Sequence, residues 1–388
     1  MSSNPCSGAV RKASASEAAP SCGVHQRTRA TDRHPVMSRP TKPPRSWSWT
    51  TTLLVLALAA GTTRCATTPQ SSPQPPGPPP AATLTLRVEV ADAGDYRIQT
   101  IRLEDYVRGS VPAEMPLAEG DAAVADRLAR LQAILARTYA LANRGRHADD
   151  GFDLCSTTHC QVYRPPDQQP AAVARLVATA VDRTRGLIIN DGNGPIQALF
   201  HADCGGHTSS ATAIWGGPAP AYLAGVRDSV CVTTPRDDWR LALNRDHLRR
   251  ILNTTSDTAV GRRLDQIAVV SRDPAGRATR VSVAGEKHLV VRGERLRAVI
   301  SRQLGPRAFR SARFSVEQQA DRILFSGQGF GHGVGLCQTG AIVRARRGES
   351  VDAILTHYYP GTWLEPHPAT AAQPAASDLR HRPPITRR

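Results

Sequence analysis

The chain has 388 residues, 40% of them hydrophobic, enough to build one large core or two joined ones. Its formal charge of +16 is carried almost wholly by arginine, which favours polyanionic partners such as a carboxylate-bearing polysaccharide. Aromatic residues make up only 5%, and no helix-turn-helix, RNA-binding or zinc-finger pattern accompanies the charge, which argues against a nucleic-acid protein.

Residues 1–36 are polar and show no apolar periodicity, so the true start is expected at Met37. Arg39, Lys42 and Arg45 then precede an apolar run over 52–60 that is too short to span a bilayer. Residues 1–66 therefore read as an extension plus export signal. Cys65 is a candidate lipid anchor, although Arg64 stands where that motif wants a small residue; plain cleavage near 59–61 is the alternative. Either route places the mature protein outside the cytoplasm, in the periplasm or envelope. A Pro-, Ser- and Gln-rich linker covers 67–83, and a basic tail expected to be disordered covers 368–388.

Between them, 84–367 reads as one α+β domain. Residues 84–90 alternate as a strand, with a second strand near 96–103. The stretch LEDYVRGSVPAEMPL follows, then a helix in which Val124, Leu128, Leu131, Leu135 and Ala142 recur at helical spacing, capped by Asp121 and stopped by Gly145. Pro112 and Pro116 bracket Glu114 and predict a short extended turn there. Its apolar neighbours Val111, Met115 and Leu117 would dehydrate the carboxyl, raise its pKa and keep it protonated, as a general acid requires. The plain alternative is a turn carboxylate in solvent. A helix is expected over 173–184, and a strand pair over 186–190 and 196–201, turned through DGNG. Alternating helices and strands suggest an inserted or second small α/β subdomain around 240–311. A glycine-rich segment then leads into a helix through Arg346, followed by a helix over 351–358.

Three clusters carry chemistry. FDLCSTTHCQVY, with His147 upstream, offers His147, Cys155 and Cys160 for a tetrahedral zinc; a Cys155–Cys160 disulfide is the alternative. His159 adjoins Cys160, which makes His147 the preferred imidazole. HADCGGHTSS places Cys204 near His201 and His207 as a candidate nucleophile, but the sequence favours a Cys204–Cys231 disulfide. GQGFGHGVGLCQTGA lacks the Gly-Lys-Ser/Thr of a phosphate loop; its dense glycines permit close approach to a ligand. His332 there is either a polar finger in a cleft or a hydrogen-bonded core histidine, and Cys337 reads as structural or incidental.

Taken in order, VPAEMP, ILARTYAL, DLCSTTHCQVY, FHADCGGHTSS with AIWGG, GFGHGVGLCQTGA and ILTHYYPGT resemble the SpoIID/LytB family of cell-wall proteins over 84–367. The resemblance implies a lytic transglycosylase acting on peptide-free peptidoglycan strands, with Glu114 as acid and base. It also implies, for some members, a zinc site that maps onto His147, Cys155 and Cys160, and it leaves Cys337 where serine is usual. His201, Gly331, His332 and Gln338 are the candidate substrate contacts. Other roles are a non-catalytic activator of an N-acetylmuramoyl amidase and a glycan-binding module. A hydrolase would need a second carboxylate, for which Glu104, Asp105, Asp203 and Asp228 are the candidates.

Overall fold

The computed structural model describes residues 84–368 except 93–94, 118–119 and 234–237. The expected export segment, Cys65, the linker and the basic tail lie outside these residues. Mixed helices and small sheets give an α+β architecture. No described helix is long and apolar enough to cross a membrane.

Strands β1 (Thr85–Asp92) and β2 (Asp95–Arg102) pair antiparallel, and the alternation of Leu86, Val88 and Val90 turns one face of β1 inward. Helix α1 (Leu103–Glu114) follows without a loop. The sequence predicted an extended turn around Glu114; instead Pro112 lies inside α1, and Glu114 is its last residue. The hydrogen bond that proline denies to the Arg108 carbonyl is replaced by one from Gln169 Nε2 at 3.1 Å, which removes the usual penalty. Met115 is extended, as the residue before Pro116 prefers to be, and this stops the helix.

Helix α2 (Ala122–Ala142) is the central rod, capped by Asp121, whose side chain accepts from the amides of Ala123 and Val124. Fully buried Arg137 projects from it and clasps Glu104 of α1 at 2.9 and 2.6 Å, while a third bond reaches the Leu187 carbonyl at 3.0 Å. Strand β3 (Leu154–Cys155) adds parallel to β1, α3 (Ala171–Arg183) packs on α1 and α2, and β4 (Leu187–Asn190) follows. The strand pair expected from DGNG does not form. The loop does turn, with Ile196 N–H bonding Ile189, but Pro195 has no donor and the next amide, Gln197, is taken by Tyr222. Strand β5 (Phe200–His201) pairs elsewhere, and α4 (Ala211–Trp215) follows.

A second core then builds on itself: β6 (Trp239–Asn244), α5 (Arg245–Leu252), the meander β7 (Leu264–Arg272), β8 (Ala278–Gly285) and β9 (His288–Val291), α6 (Gly293–Leu304), β10 (Phe314–Gln318) and β11 (Arg322–Gly327). It extends beyond residue 311 because β11 pairs with both β10 and β6, bringing Trp239, Phe309, Phe314 and Phe325 together. The chain re-enters the first core at β12 (Leu336–Cys337), parallel to β5, and finishes with α7 (Gln338–Arg346), α8 (Val351–Tyr358) and β13 (Trp363–Pro366), the antiparallel partner of β4.

Replacing Arg137 by alanine would leave Glu104 a largely buried charge without its partner. Thermal or urea unfolding of Arg137→Ala is expected to show a loss of about 3–5 kcal/mol; an unchanged midpoint would refute the role assigned to the pair.

Candidate active site and metal centre

Glu114 sits where α1 ends against the loop after β3. Its carboxylate accepts the Val162 amide, and its own carbonyl accepts Gln338 Nε2 at 2.5 Å. Burial holds the carboxyl above its ordinary 4.5, opposed by the Val162 hydrogen bond. The loop is pressed close: Tyr163 stacks on Tyr106 with centroids 5.5 Å apart, and Arg164 N–H reaches the Gly109 carbonyl at 3.3 Å. Only glycine fits at 109, since a Cβ there would lie 2.2 Å from the Tyr163 ring and 2.6 Å from the Arg164 carbonyl.

The four acids that might have paired with Glu114 are engaged elsewhere. Glu104 is bound to Arg137, and Asp105 to Arg108 at 2.6 Å. Asp203 accepts the Gly205 amide at 2.7 Å, and Asp228 accepts the Tyr358 hydroxyl at 2.7 Å.

One turn of loop away from Val162, the ligand atoms of His147, Cys155, His159 and Cys160 lie within 4.8 Å of one another. His147 Nε2 is 3.3 Å from Cys160 Sγ, and His159 Nδ1 is 3.7 Å from both sulfurs. A tetrahedral zinc with bonds of about 2.0–2.3 Å has ligand–ligand edges of roughly 3.5 Å, so the donor set fits the ion. Asp150 Oδ2, 3.3 Å from His147 Nδ1, would orient that ring as carboxylates do behind metal-bound histidines. The structure bears on two alternatives here. Cys155 and Cys160 are free thiols rather than a disulfide. His159 converges beside His147 because the Thr157–Cys160 turn bends the backbone, so adjacency to Cys160 does not exclude it.

The glycine-rich loop contributes differently along its length. Gln338 opens α7 and is the residue that touches Glu114. His332 accepts the Val334 amide through Nδ1 at 3.1 Å and lies against His201 and Trp215. Burial, partly offset by Glu294, pushes it down to about 4, so its ring is neutral at pH 7. His201 is buried, bonded through Nδ1 to the Val334 carbonyl at 3.2 Å, and carries no hydrogen-bond partner on Nε2 among the described residues. Gly331 packs on it, its absent Cβ leaving 2.9 Å to His201 Cβ. Cys204 is a free thiol, contrary to the expected disulfide with Cys231. Sequence reasoning missed Val162, Gly109 and Gln169, whose roles arise from backbone contacts that leave no residue-type signal.

Gly109→Ala is expected to displace the Tyr163 segment and lower whatever activity depends on Glu114 by about 5- to 150-fold, the factors to which crowding costs of about 1–3 kcal/mol correspond. Assay of the folded variant, checked by circular dichroism, measures this, and full activity would show that the close approach is not needed.

Comparison with known proteins agrees with this layout. The model of a family described as stage II sporulation protein matches residues 92–190, and that of a domain of unknown function matches 233–335, within which the second core falls almost entirely. An uncharacterized protein of Brachyspira hyodysenteriae is 32% identical over 271 residues, 68% of this chain and 67% of that protein. Stage II sporulation protein D of Bacillus subtilis is 28% identical, covering 71% of this chain and 78% of its own. The amidase enhancer of the same organism is 26% identical over 66% of this chain and 40% of its own length. The chain belongs to the SpoIID/LytB family.

Proposed function

We propose that the protein is an exported peptidoglycan lytic transglycosylase that cleaves peptide-free glycan strands, with Glu114 as its single acid and base. The observation that carries this reading is a dehydrated carboxyl, raised in pKa, with every candidate second carboxylate bound elsewhere. Protonated Glu114 gives its proton to the glycosidic oxygen as the bond to C1 of the muramic acid breaks. The resulting carboxylate then takes the proton of the same sugar's C6 hydroxyl, whose oxygen closes on C1. The products are a 1,6-anhydro end and a free alcohol, no water is consumed, and Glu114 finishes protonated.

His147, Cys155, His159 and Cys160 would hold the zinc that the family implies, and the ion would supply a structural tie rather than reactive chemistry. What the chain itself does is present the Val162 amide to a carboxyl that burial has stripped of water. A groove of about 530 Å³ beside His332, lined by exposed Trp215 together with Arg292, Arg295, Asp257 and Glu294, offers a sugar-stacking face. The similarity to an amidase enhancer supports a second reading, in which the protein activates a partner amidase without cutting glycan. Export to the periplasm or envelope follows from the substrate's location, with Cys65 as candidate lipid anchor.

Digestion of denuded glycan strands followed by mass spectrometry separates the readings: anhydro-ended fragments weigh one water less than hydrolysed ones, and an activator alone releases neither. Glu114→Gln is expected to cost about 100- to 10,000-fold in rate while remaining folded, because its amide can still accept from Val162. Wild-type cleavage by that variant would overturn the assignment.

The pH dependence has a defined sign. Because the free enzyme must carry the proton, kcat/KM should hold at acidic pH and fall as pH rises through a pKa above 4.5. The same shift makes Glu114 favour the folded state most below its unfolded pKa, and that contribution is lost as pH rises through the folded value. Glu114→Gln should therefore equal or exceed the parent in thermal stability at neutral pH, and a lower stability there would contradict the burial.

Trp215→Ala is expected to raise KM with a smaller effect on kcat, as for a contact made equally in ground and transition states. Unchanged KM would remove the groove from the binding path.

A further inference from the structure

Behind the glycine-rich loop lies a cluster that the reaction above does not use. Cys204, Asp228, Cys231 and Cys337 are all buried, and one ligand-type atom from each lies within 4.8 Å of the others. Cys337 Sγ is 3.7 Å from Cys231 Sγ, and Cys204 Sγ is 3.5 Å from Asp228 Oδ2. These are the edges of a tetrahedron whose centre lies about 2.0–2.3 Å from sulfur and oxygen ligands. The Cys231–Cys337 separation is far longer than the roughly 2.05 Å of a disulfide.

Backbone amides reach two of the three sulfurs. The amide of Gly206 donates to Cys204 Sγ at 3.2 Å, and the amides of Cys204 and Gly340 donate to Cys337 Sγ at 3.2 and 3.4 Å. Amide donors favour the charged form of the sulfur they reach. Asp228 Oδ1 is buried without a hydrogen-bond partner among the described residues, with the Arg344 guanidinium 3.6 Å away. On another side, fully buried Arg277 donates to the carbonyls of Cys204 and His207, both at 3.3 Å. Four anionic donors around a dication retain negative charge, and two guanidinium groups stand ready to balance it.

The geometry points to a second, closed metal centre in which Cys204, Cys231, Cys337 and Asp228 hold a thiolate-preferring divalent ion, zinc, as a structural staple. Binding displaces the remaining thiol protons to solvent and changes no oxidation state. The ion ties together the loop after β5, the 231–233 turn and the β12–α7 junction, and so fixes Gln338, the residue next to Cys337, against Glu114. The inference does not depend on the glycan-cleaving reading, and the centre is distinct from the one at His147.

The test is metal content of the full-length chain, exported and purified without chelator. About two equivalents of zinc are expected, and the Cys155→Ser/Cys160→Ser variant should keep about one. Zinc-edge X-ray absorption of that variant should show three sulfur neighbours and one light atom per metal. Asp228→Asn/Cys337→Ser should lose the second equivalent and keep the first. If that variant fails to fold, the absorption measurement on the Cys155→Ser/Cys160→Ser chain decides alone. Complete loss of zinc from folded Cys155→Ser/Cys160→Ser would overturn the proposal. So would a disulfide among Cys204, Cys231 and Cys337, found by peptide mapping of the alkylated, unreduced protein. Retention of a single equivalent in wild type and in Cys155→Ser/Cys160→Ser would support this centre and remove the metal from the His147 site, leaving the role of Glu114 untouched.

Discussion

The bidentate pair between Arg137 and Glu104 is the constraint on which the rest of the molecule hangs. A guanidinium with no solvent exposure needs hydrogen-bond partners, and here each of its three nitrogens has one, from two directions. Because Glu104 lies in the first turn of α1, the pair fixes that helix against α2; because Leu187 supplies the third acceptor, it fixes β4 as well. The far end of α1 carries Glu114. A helix end held this way presents its carboxyl at one position, and a proton donor must reach its acceptor within hydrogen-bond distance.

Around that helix end the chain uses close approach in place of additional charged groups. Gly109 lets the Tyr163 segment lie directly on α1, Gln169 reclaims the carbonyl that Pro112 orphans, and Val162 meets the carboxylate. Each contact joins α1 to the stretch immediately following Cys160. The His147, Cys155, His159 and Cys160 donors converge on the same loop, so anything that fixes those donors also fixes the hydrogen bond to Glu114. Burial raises the Glu114 carboxyl, and the docked loop's Val162 amide works against that rise.

The second core is joined to this arrangement by buried arginine. Arg277 enters from the start of β8 and bonds carbonyls of the Cys204–His207 loop, and Arg313 reaches the Gly205 carbonyl. Gly333, at φ +83°, exists where a Cβ would stand 2.1 Å from the Arg277 guanidinium carbon. The glycines of this loop therefore serve packing by side chains from the inserted core, as well as the turn that carries the chain from His332 to Gln338.

Much was legible from residue order. The period of Val124, Leu128, Leu131 and Leu135, the Asp121 cap and the alternation in β1 fixed those elements, because amphipathic spacing and capping are local. The motif set singled out Glu114 and the His147, Cys155 and Cys160 donors through the resemblance it carries, while the residues alone left a turn carboxylate and a disulfide open. Reading Pro112 and Pro116 as a turn failed since the donor that makes a helical proline tolerable, Gln169, lies 57 residues away in the chain. The DGNG pairing failed for a similar reason: β4 finds its partner in β13 near the end of the domain. Tertiary structure alone decided that Cys231 meets Cys337 and that Gln338 touches Glu114, since these contacts join segments that sequence separates by more than a hundred residues.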